Sequence, residues 1–397
     1  MTSISPLDAL ALLSLLAWGW LIAFHGGFWR ADQRLGDPPV PQSWPSVVAV
    51  VPARNEAAHV AEAVASLLAQ DYPGDFRVVL VDDASDDGTE EAARRGAACS
   101  DRLTVVPGRP LERGWTGKMW AVSQGLAAAE RIAPDADYVL LTDADIAHDP
   151  RNLRRLVAKA EADGLDMASL MVRLRCRTVW ERLLIPAFVF FFQKLYPFPR
   201  VNDPRRRTAA AAGGCMLVRR SALRRIGGVA AIRDAVIDDC ALAAAIKAGG
   251  RVWLGLADRH GPRSLRGYHD LPGIWHMVAR TAYVQLRHSP FLLGGTLVGM
   301  AVLYLAPPAA AFAGAHGRDA VAVVLGAAGW AAMWACYRPT VADYGQPVLA
   351  ALALPVAAAL YLGMTFDSAR RTRAGRGAAW KGRTYPAARP PDSAEAE

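Results

Sequence analysis

The residues best suited to chemistry are aspartates at the ends of apolar runs. Asp143 and Asp145 form an Asp-Ala-Asp sequence directly after Tyr138–Leu141. Mg²⁺ and Mn²⁺ take oxygen ligands and bridge a carboxylate to phosphates. A diphosphate leaving group needs its charge offset as it departs, so this pair reads as a metal site, with Asp143 also beside the donor nucleotide. Earlier, Val81–Thr89 reads VDDASDDGT and crowds Asp82, Asp83, Asp86 and Asp87 together. Such a cluster repels itself unless a cation or hydrogen-bond donors compensate it. A solvated acidic turn that caps the next helix explains some of the four. A carboxylate accepting from a uracil-type N–H explains why Asp82 and Asp83 sit at a strand end.

Pro52-Ala53-Arg54-Asn55-Glu56 reads either as a polar turn or as a loop against the base and ribose of a nucleotide, through Pro52, Arg54 and Glu56. Ile237-Asp238-Asp239 precedes a helical pattern and reads as a helix N-terminus. An acceptor hydroxyl also needs a general base, which Asp238 or Asp239 supplies, and the two roles coexist. Lys118, in Gly114-Trp115-Thr116-Gly117-Lys118, is placed on a pyrophosphate or in an ordinary helix-starting loop. Gly213-Gly214 allows a close backbone approach to a ligand, or makes a plain tight turn. Neither G-x-x-x-x-G-K-[ST] nor G-x-G-x-x-G occurs.

These residues need a frame. SVVAVVPARNE, FRVVLVDDAS, RLTVVPG and DYVLLTDAD predict buried strands, and AAHVAEAVASLLAQ, GTEEAARRGAACS and KMWAVSQGLAAAERI predict helices between them. Alternation of this kind implies an α/β domain with a mostly parallel sheet covered on both faces. In such sheets ligands sit beyond the carboxyl ends of the strands, where the polar motifs fall.

Hydrophobic residues make up 53% of the 397, and mean hydropathy is +0.14. The apolar excess concentrates at residues 7–28 and 290–366, on either side of a stretch with ordinary globular composition. Residues 7–28 are long enough to cross a bilayer core of about 30 Å. A cleaved signal peptide is the competing reading, but the stretch has no basic segment before it and no clear cleavage site after it. Pro290–Ala313, Ala320–Cys336 and Pro347–Phe366 are further candidates. Leu183–Phe198, interrupted by Pro186 and Lys194, reads as an in-plane membrane helix in preference to a core helix.

The net charge is +8, with much of the excess at Arg370, Arg371, Arg373, Arg376, Lys381, Arg383 and Arg389. Basic residues beside apolar segments face the cytoplasm. Arg30 and Arg34 therefore put the central domain inside, and the tail, residues 367–397, belongs on the same side. That requires one of the three later candidates to enter without crossing, and Pro307-Pro308 marks the expected break around Ala301–Ala313. The expected location is the inner (cytoplasmic) membrane, multi-pass, with the catalytic domain facing the cytoplasm. No nucleic-acid motif accompanies the basic residues, so nucleic acid is not an expected partner. The five cysteines are scattered without a C-x-x-C pair, which fits a reducing compartment better than a disulfide framework or zinc site.

In order and spacing, P-A-R-N-E, V-D-D-A-S-D-D-G-T, D-A-D and the later D-D resemble family 2 glycosyltransferases over residues 45–285. The resemblance implies a GT-A fold flanked by transmembrane helices, a nucleotide-diphospho-sugar donor, a divalent metal and inversion at the anomeric carbon. It assigns Asp82 and Asp83 to the nucleotide, Asp143 and Asp145 to the metal and Asp239 to the catalytic base. G-W-T-G-K-x-W-A, V-A-R-T-A-Y and W-K-G-R-T-Y (Trp380–Tyr385) look like the hopanoid-biosynthesis-associated branch, HpnB type, which implies a hopanoid or similar lipid acceptor. Processive relatives carry Q-x-x-R-W after the base. Here Met277-Val278-Ala279-Arg280-Thr281 keeps only the arginine, which argues for single-sugar transfer and leaves Arg280, a candidate pyrophosphate contact, without a fixed role.

The expected reaction is a single in-line displacement on a membrane-bound enzyme, with a lipid acceptor at the interface. Two rival readings are a nucleotidyltransferase of similar fold, whose Gly-rich basic signature is missing, and a non-catalytic membrane scaffold, which has no need of so costly an acid cluster.

Overall fold

The computed structural model describes residues 5–376 and the backbone of 379–380 and 383–384. Arg389 and, of the W-K-G-R-T-Y sequence, Lys381, Gly382 and Tyr385 lie outside the described residues.

The four expected strands form, as β1 (Val47–Ala53), β2 (Phe76–Asp82), β3 (Leu103–Pro107) and β4 (Tyr138–Leu141), and five more follow them: β5 (Ile146–Ala147), β6 (Met167–Met171), β7 (Met216–Arg219), β8 (Val252–Leu256) and β9 (Arg263–Ser264). Seven of them make one sheet in the order β3-β2-β1-β4-β7-β6-β8, while β5 and β9 pair separately. β3, β2, β1 and β4 run parallel, as do β6 and β8, and β7 is antiparallel to both its neighbours.

Every residue of β1 is buried, because helices cover both faces. Val48 and Val50 point into one core with Met119, Val122 and Leu242. Val47, Ala49 and Val51 point into the other with Val60, Leu67 and Leu156. This period-two division is what a doubly covered parallel strand demands.

β7 matters most for the site. Because it is antiparallel, Met216 pairs with Leu141, so the amino end of β7 lies beside the carboxyl end of β4. Gly213-Gly214, just before β7, is thereby carried to the strand end that bears Asp143.

Among the described residues, four helices are long and apolar enough to cross a membrane: Pro6–Phe24, Pro290–Gly317, Ala320–Asp343 and Val348–Arg373. Two sequence expectations change here. Ala320–Asp343 is longer than the apolar run Ala320–Cys336, since the helix continues through Pro339. Pro307-Pro308 does not break the chain. A π-helical segment, Ala301–Leu305, precedes the prolines, which then fall in the first turn of Ala306–Gly317, where missing N–H groups cost least. Gly326 packs against this stretch so closely that a Cβ would lie 2.5 Å from the Pro307 carbonyl oxygen.

The helix Val179–Leu195 also departs from expectation. It is a core helix, with exposed apolar side chains at its ends. Val189 joins the core beneath the sheet, while Leu184, Ala187 and Phe190 join a third core with Trp18, Tyr304 and Tyr361. The aromatic density that resembles a membrane-surface helix serves two protein faces instead. A capping box starts this helix: Thr178 Oγ1 accepts from the Glu181 N–H at 3.2 Å, and Glu181 accepts from the Thr178 N–H at 2.9 Å.

Candidate active site

The loops after β1 and β2 are laced together by the acids themselves. Asp82 Oδ1 accepts from the Ser85 N–H at 3.1 Å. Asp87 accepts from the Ala57 N–H at 3.0 Å and the Thr89 N–H at 3.1 Å. Burial alone would raise the Asp87 carboxyl, but these donors hold it below its ordinary range. Asp83 is buried at the β2 end, with Arg54 Nη1 bonded to its carbonyl oxygen. Asp87 therefore ties the two loops together, while Asp82 braces its own loop.

The loop after β4 is held from below. Thr142 Oγ1 donates to the Gly214 carbonyl at 2.7 Å and lies 2.9 Å from His148 Nε2, whose Nδ1 lies 3.1 Å from Asn152 Nδ2. All three side chains are buried, and burial pushes the His148 imidazole down to about 4, so it is neutral at pH 7. This chain fixes Asp143 and Asp145 relative to the glycine pair.

Four aspartates then converge. Lys118 Nζ, in the first turn of the helix Gly117–Ile132, lies 2.9 Å from Asp143 Oδ1 and 3.1 Å from Asp238 Oδ2. Asp238 and Asp239 occupy the first turn of the helix Asp238–Lys247, where its dipole favours anions. Asp239 Oδ2 accepts from the Gly213 N–H at 2.9 Å. A Cβ on Gly213 would stand 3.3 Å from Lys118 Nζ, 3.5 Å from Asp239 Oδ2 and 3.8 Å from Asp143 Oδ2. The absent side chain thus opens a space bounded by three charged groups.

Asp143 faces the cleft and is about one-third exposed, 36% against 14% for Asp145. Its carboxyl is raised by burial and by Asp145 and Asp238, against the pull of Lys118. Burial and the Asp238 charge push Asp239 up to about 6. Lys118 is held charged by its aspartates despite its burial.

Arg266 completes the constellation and was not legible as part of it. Its Nε donates to Asp145 Oδ2 at 2.7 Å, and its Nη2 lies 2.7 Å from both oxygens of Glu56. The pairing of β5 with β9 and the Leu265 N–H donating to the Asp145 carbonyl at 2.8 Å bring Arg266 there. The arginine lies 121 residues from Asp145 in the chain, outside any motif. Its place just after β9 is the only signal, and β9 is two residues long.

These groups line one cavity of about 570 Å³. Of the residues singled out from sequence, Pro52, Glu56, Lys118, Asp143, Asp145, Asp238, Asp239 and Arg280 line it, whereas Arg54, Asp82 and Asp83 do not. Phe188 and Phe192 from the core helix, with Met277 from the helix Leu271–Ala279, form an apolar side.

Residues 48–227 match the family model for glycosyl transferase family 2. An N-acetylglucosaminyltransferase of Mesorhizobium japonicum is 29% identical over 197 residues, covering 47% of this chain and 42% of that protein. An undecaprenyl-phosphate 4-deoxy-4-formamido-L-arabinose transferase of Aeromonas hydrophila is 31% identical over 131 residues, 32% of this chain and 37% of that one. The chain thus spans less than half the length of these curated relatives. A solved mannosyltransferase of Pyrobaculum calidifontis, in complex with GDP-mannose and Mn²⁺, superposes with a TM-score of 0.54 at 24% identity, covering 90% of this chain and 98% of that one. That likeness speaks to the GT-A fold.

Proposed function

We propose that this chain, which carries a family 2 glycosyltransferase domain over residues 48–227, moves one sugar from a nucleotide-diphospho-sugar to a lipid acceptor. The observation that carries the reading is the convergence of Asp143, Asp145, Asp238 and Asp239 in a cavity with an apolar side. That side is built from the helices Val179–Leu195 and Leu271–Ala279, which also pack on the candidate membrane spans. An acceptor with a polar head and an apolar body suits such a cleft.

The acids fit a divalent cation. Asp143 and Asp145 offer oxygen donors only, and the Asp143 carboxyl is raised first by burial and then by Asp145 and Asp238, against the pull of Lys118. Among the described residues, no three carboxylate, His or Cys side chains are placed to hold one ion together, the four converging aspartates included. This matches an ion held by one or two carboxylates with phosphates and water filling its sphere. Asp143 and Asp145 would hold it, and when bound it offsets charge on the departing diphosphate.

Asp239 removes the acceptor proton as the acceptor oxygen bonds to the anomeric carbon. The bond from that carbon to the diphosphate breaks on the opposite face, with inversion. The Gly213 N–H orients Asp239, and Asp238 keeps Lys118 near the leaving group. Arg280, on the cavity wall, is a second cation for the pyrophosphate. Arg54 and Asp83 sit just past the β1 and β2 ends and Asp82 closes β2, where the base and ribose would lie.

The G-W-T-G-K-x-W-A and V-A-R-T-A-Y sequences support a hopanoid-type acceptor. Arg30 and Arg34 support a catalytic domain facing the cytoplasm, with residues 7–28 and 290–366 as the membrane regions on either side of a 45–285 transferase domain. Lipid profiling of a deletion strain tests the acceptor. Loss of one glycolipid, identified by mass, is expected, and an unchanged lipid profile would contradict it.

A further inference from the structure

Arg266 holds Asp145 and Glu56 at once. Nε takes Asp145 Oδ2 at 2.7 Å, and Nη2 takes both Glu56 oxygens at 2.7 Å. The two carboxylates are only 14% and 11% exposed, so solvent screens these contacts weakly. A guanidinium at contact distance both occupies an oxygen and repels a second cation.

We infer that Arg266 is an internal counter-ion that competes with the divalent cation for Asp145 and yields by moving wholly onto Glu56. The inference rests on the metal reading of Asp145. Its geometry favours a side-chain motion. The backbone around Arg266 is pinned to the Asp145 loop by the β5–β9 pairing and by the Leu265 N–H. The guanidinium is one-third exposed, which leaves it room to turn. Glu56 accepts through both oxygens, so Arg266 keeps a charged partner when it leaves Asp145. Glu56 is then a positioning residue for the metal site through Arg266.

Mn²⁺ binding to the full-length protein in detergent, read from the free-ion EPR signal, tests this without turnover. Arg266→Gln is expected to bind Mn²⁺ about tenfold tighter than wild type. Glu56→Gln is expected to bind it several-fold more weakly, because Arg266 then has only Asp145 as a charged partner. In the Arg266→Gln background the same Glu56→Gln change is expected to do almost nothing. Arg280→Gln, which removes another cavity cation, should tighten binding less than Arg266→Gln. Binding by Arg266→Gln that is unchanged or weaker overturns the inference. So does a Glu56→Gln effect that persists without Arg266, or an equal gain from Arg280→Gln. If Arg266→Gln does not fold, undiminished binding by Glu56→Gln overturns it alone. Wild-type protein that binds no Mn²⁺ brings down the metal reading itself, a distinct result.

Discussion

The backbone N–H of Gly213 donates to Asp239 Oδ2 at 2.9 Å, joining the loop before β7 to the first turn of the helix Asp238–Lys247. This bond places the proposed base against the space that the missing Gly213 side chain leaves open.

Gly213→Ala should therefore cut transfer about 100-fold while the fold persists. The new methyl would press on Lys118 Nζ at 3.3 Å and stand in the space between Asp143 and Asp239. Lys118 ends in a flexible tip, so unfolding temperature should change by about 2 °C or less. Steady-state kinetics and thermal unfolding read the two effects separately. Wild-type activity in this variant would move the reacting atoms elsewhere.

The Asp239 carboxyl, pushed up to about 6 by burial and Asp238, must be ionised to accept a proton. Transfer should rise with pH through about 6 and level off above it. Asp238→Asn removes the repelling charge and should move this limb to lower pH. Lys118→Met removes an attracting charge and should move it to higher pH. A pH–rate profile that neither change displaces would contradict the assignment.

Asp145→Ala should lower metal-dependent donor turnover about 1,000-fold, with the far-UV circular dichroism spectrum unchanged. Titrating Mn²⁺ against donor consumption checks it. Full activity in the variant at any metal concentration would refute the proposed ligand.

Glu181 ties the core helix to the segment that carries Arg266. It is fully buried and accepts the N–H groups of Arg177 at 2.7 Å, Thr178 at 2.9 Å and Tyr268 at 2.6 Å. Burial would raise this carboxyl, but the three donors hold it below its ordinary range. A depressed carboxyl contributes stability above its unfolded pKa and loses it as pH falls through the folded one. Glu181→Ala should cost about 3 kcal/mol at pH 7. Its deficit against wild type should shrink below about pH 4. Denaturant unfolding at both pH values reads this, and a deficit independent of pH would contradict it.

What the sequence disclosed follows from how local each signal is. β1, β2 and β4 are apolar runs with a polar motif at or just past each carboxyl end, so the strands and the candidate Asp143–Asp145 pair could be read directly. The meeting of Asp239 with Gly213 depends on β7 running antiparallel, which no residue in β7 announces. Arg266 reaches Asp145 only through the two-residue pairing of β5 with β9. The helix Val179–Leu195 resembles a membrane-surface segment because serving two cores requires apolar residues almost all round. The π-helical turn before Pro307 depends on a backbone arrangement that residue types do not encode.

Transfer of a sugar to a lipid, with Asp239 as base, can be followed directly. The most direct measurement incubates the purified full-length protein in nanodiscs with labelled nucleotide-sugars, Mn²⁺ and a bacterial lipid extract, and follows label into the lipid phase. Wild type should yield a glycolipid heavier by one sugar, and Asp239→Asn should keep donor binding while its product falls at least about 100-fold. Label that never enters the lipid phase, or an Asp239→Asn variant that transfers at the wild-type rate, would contradict the account.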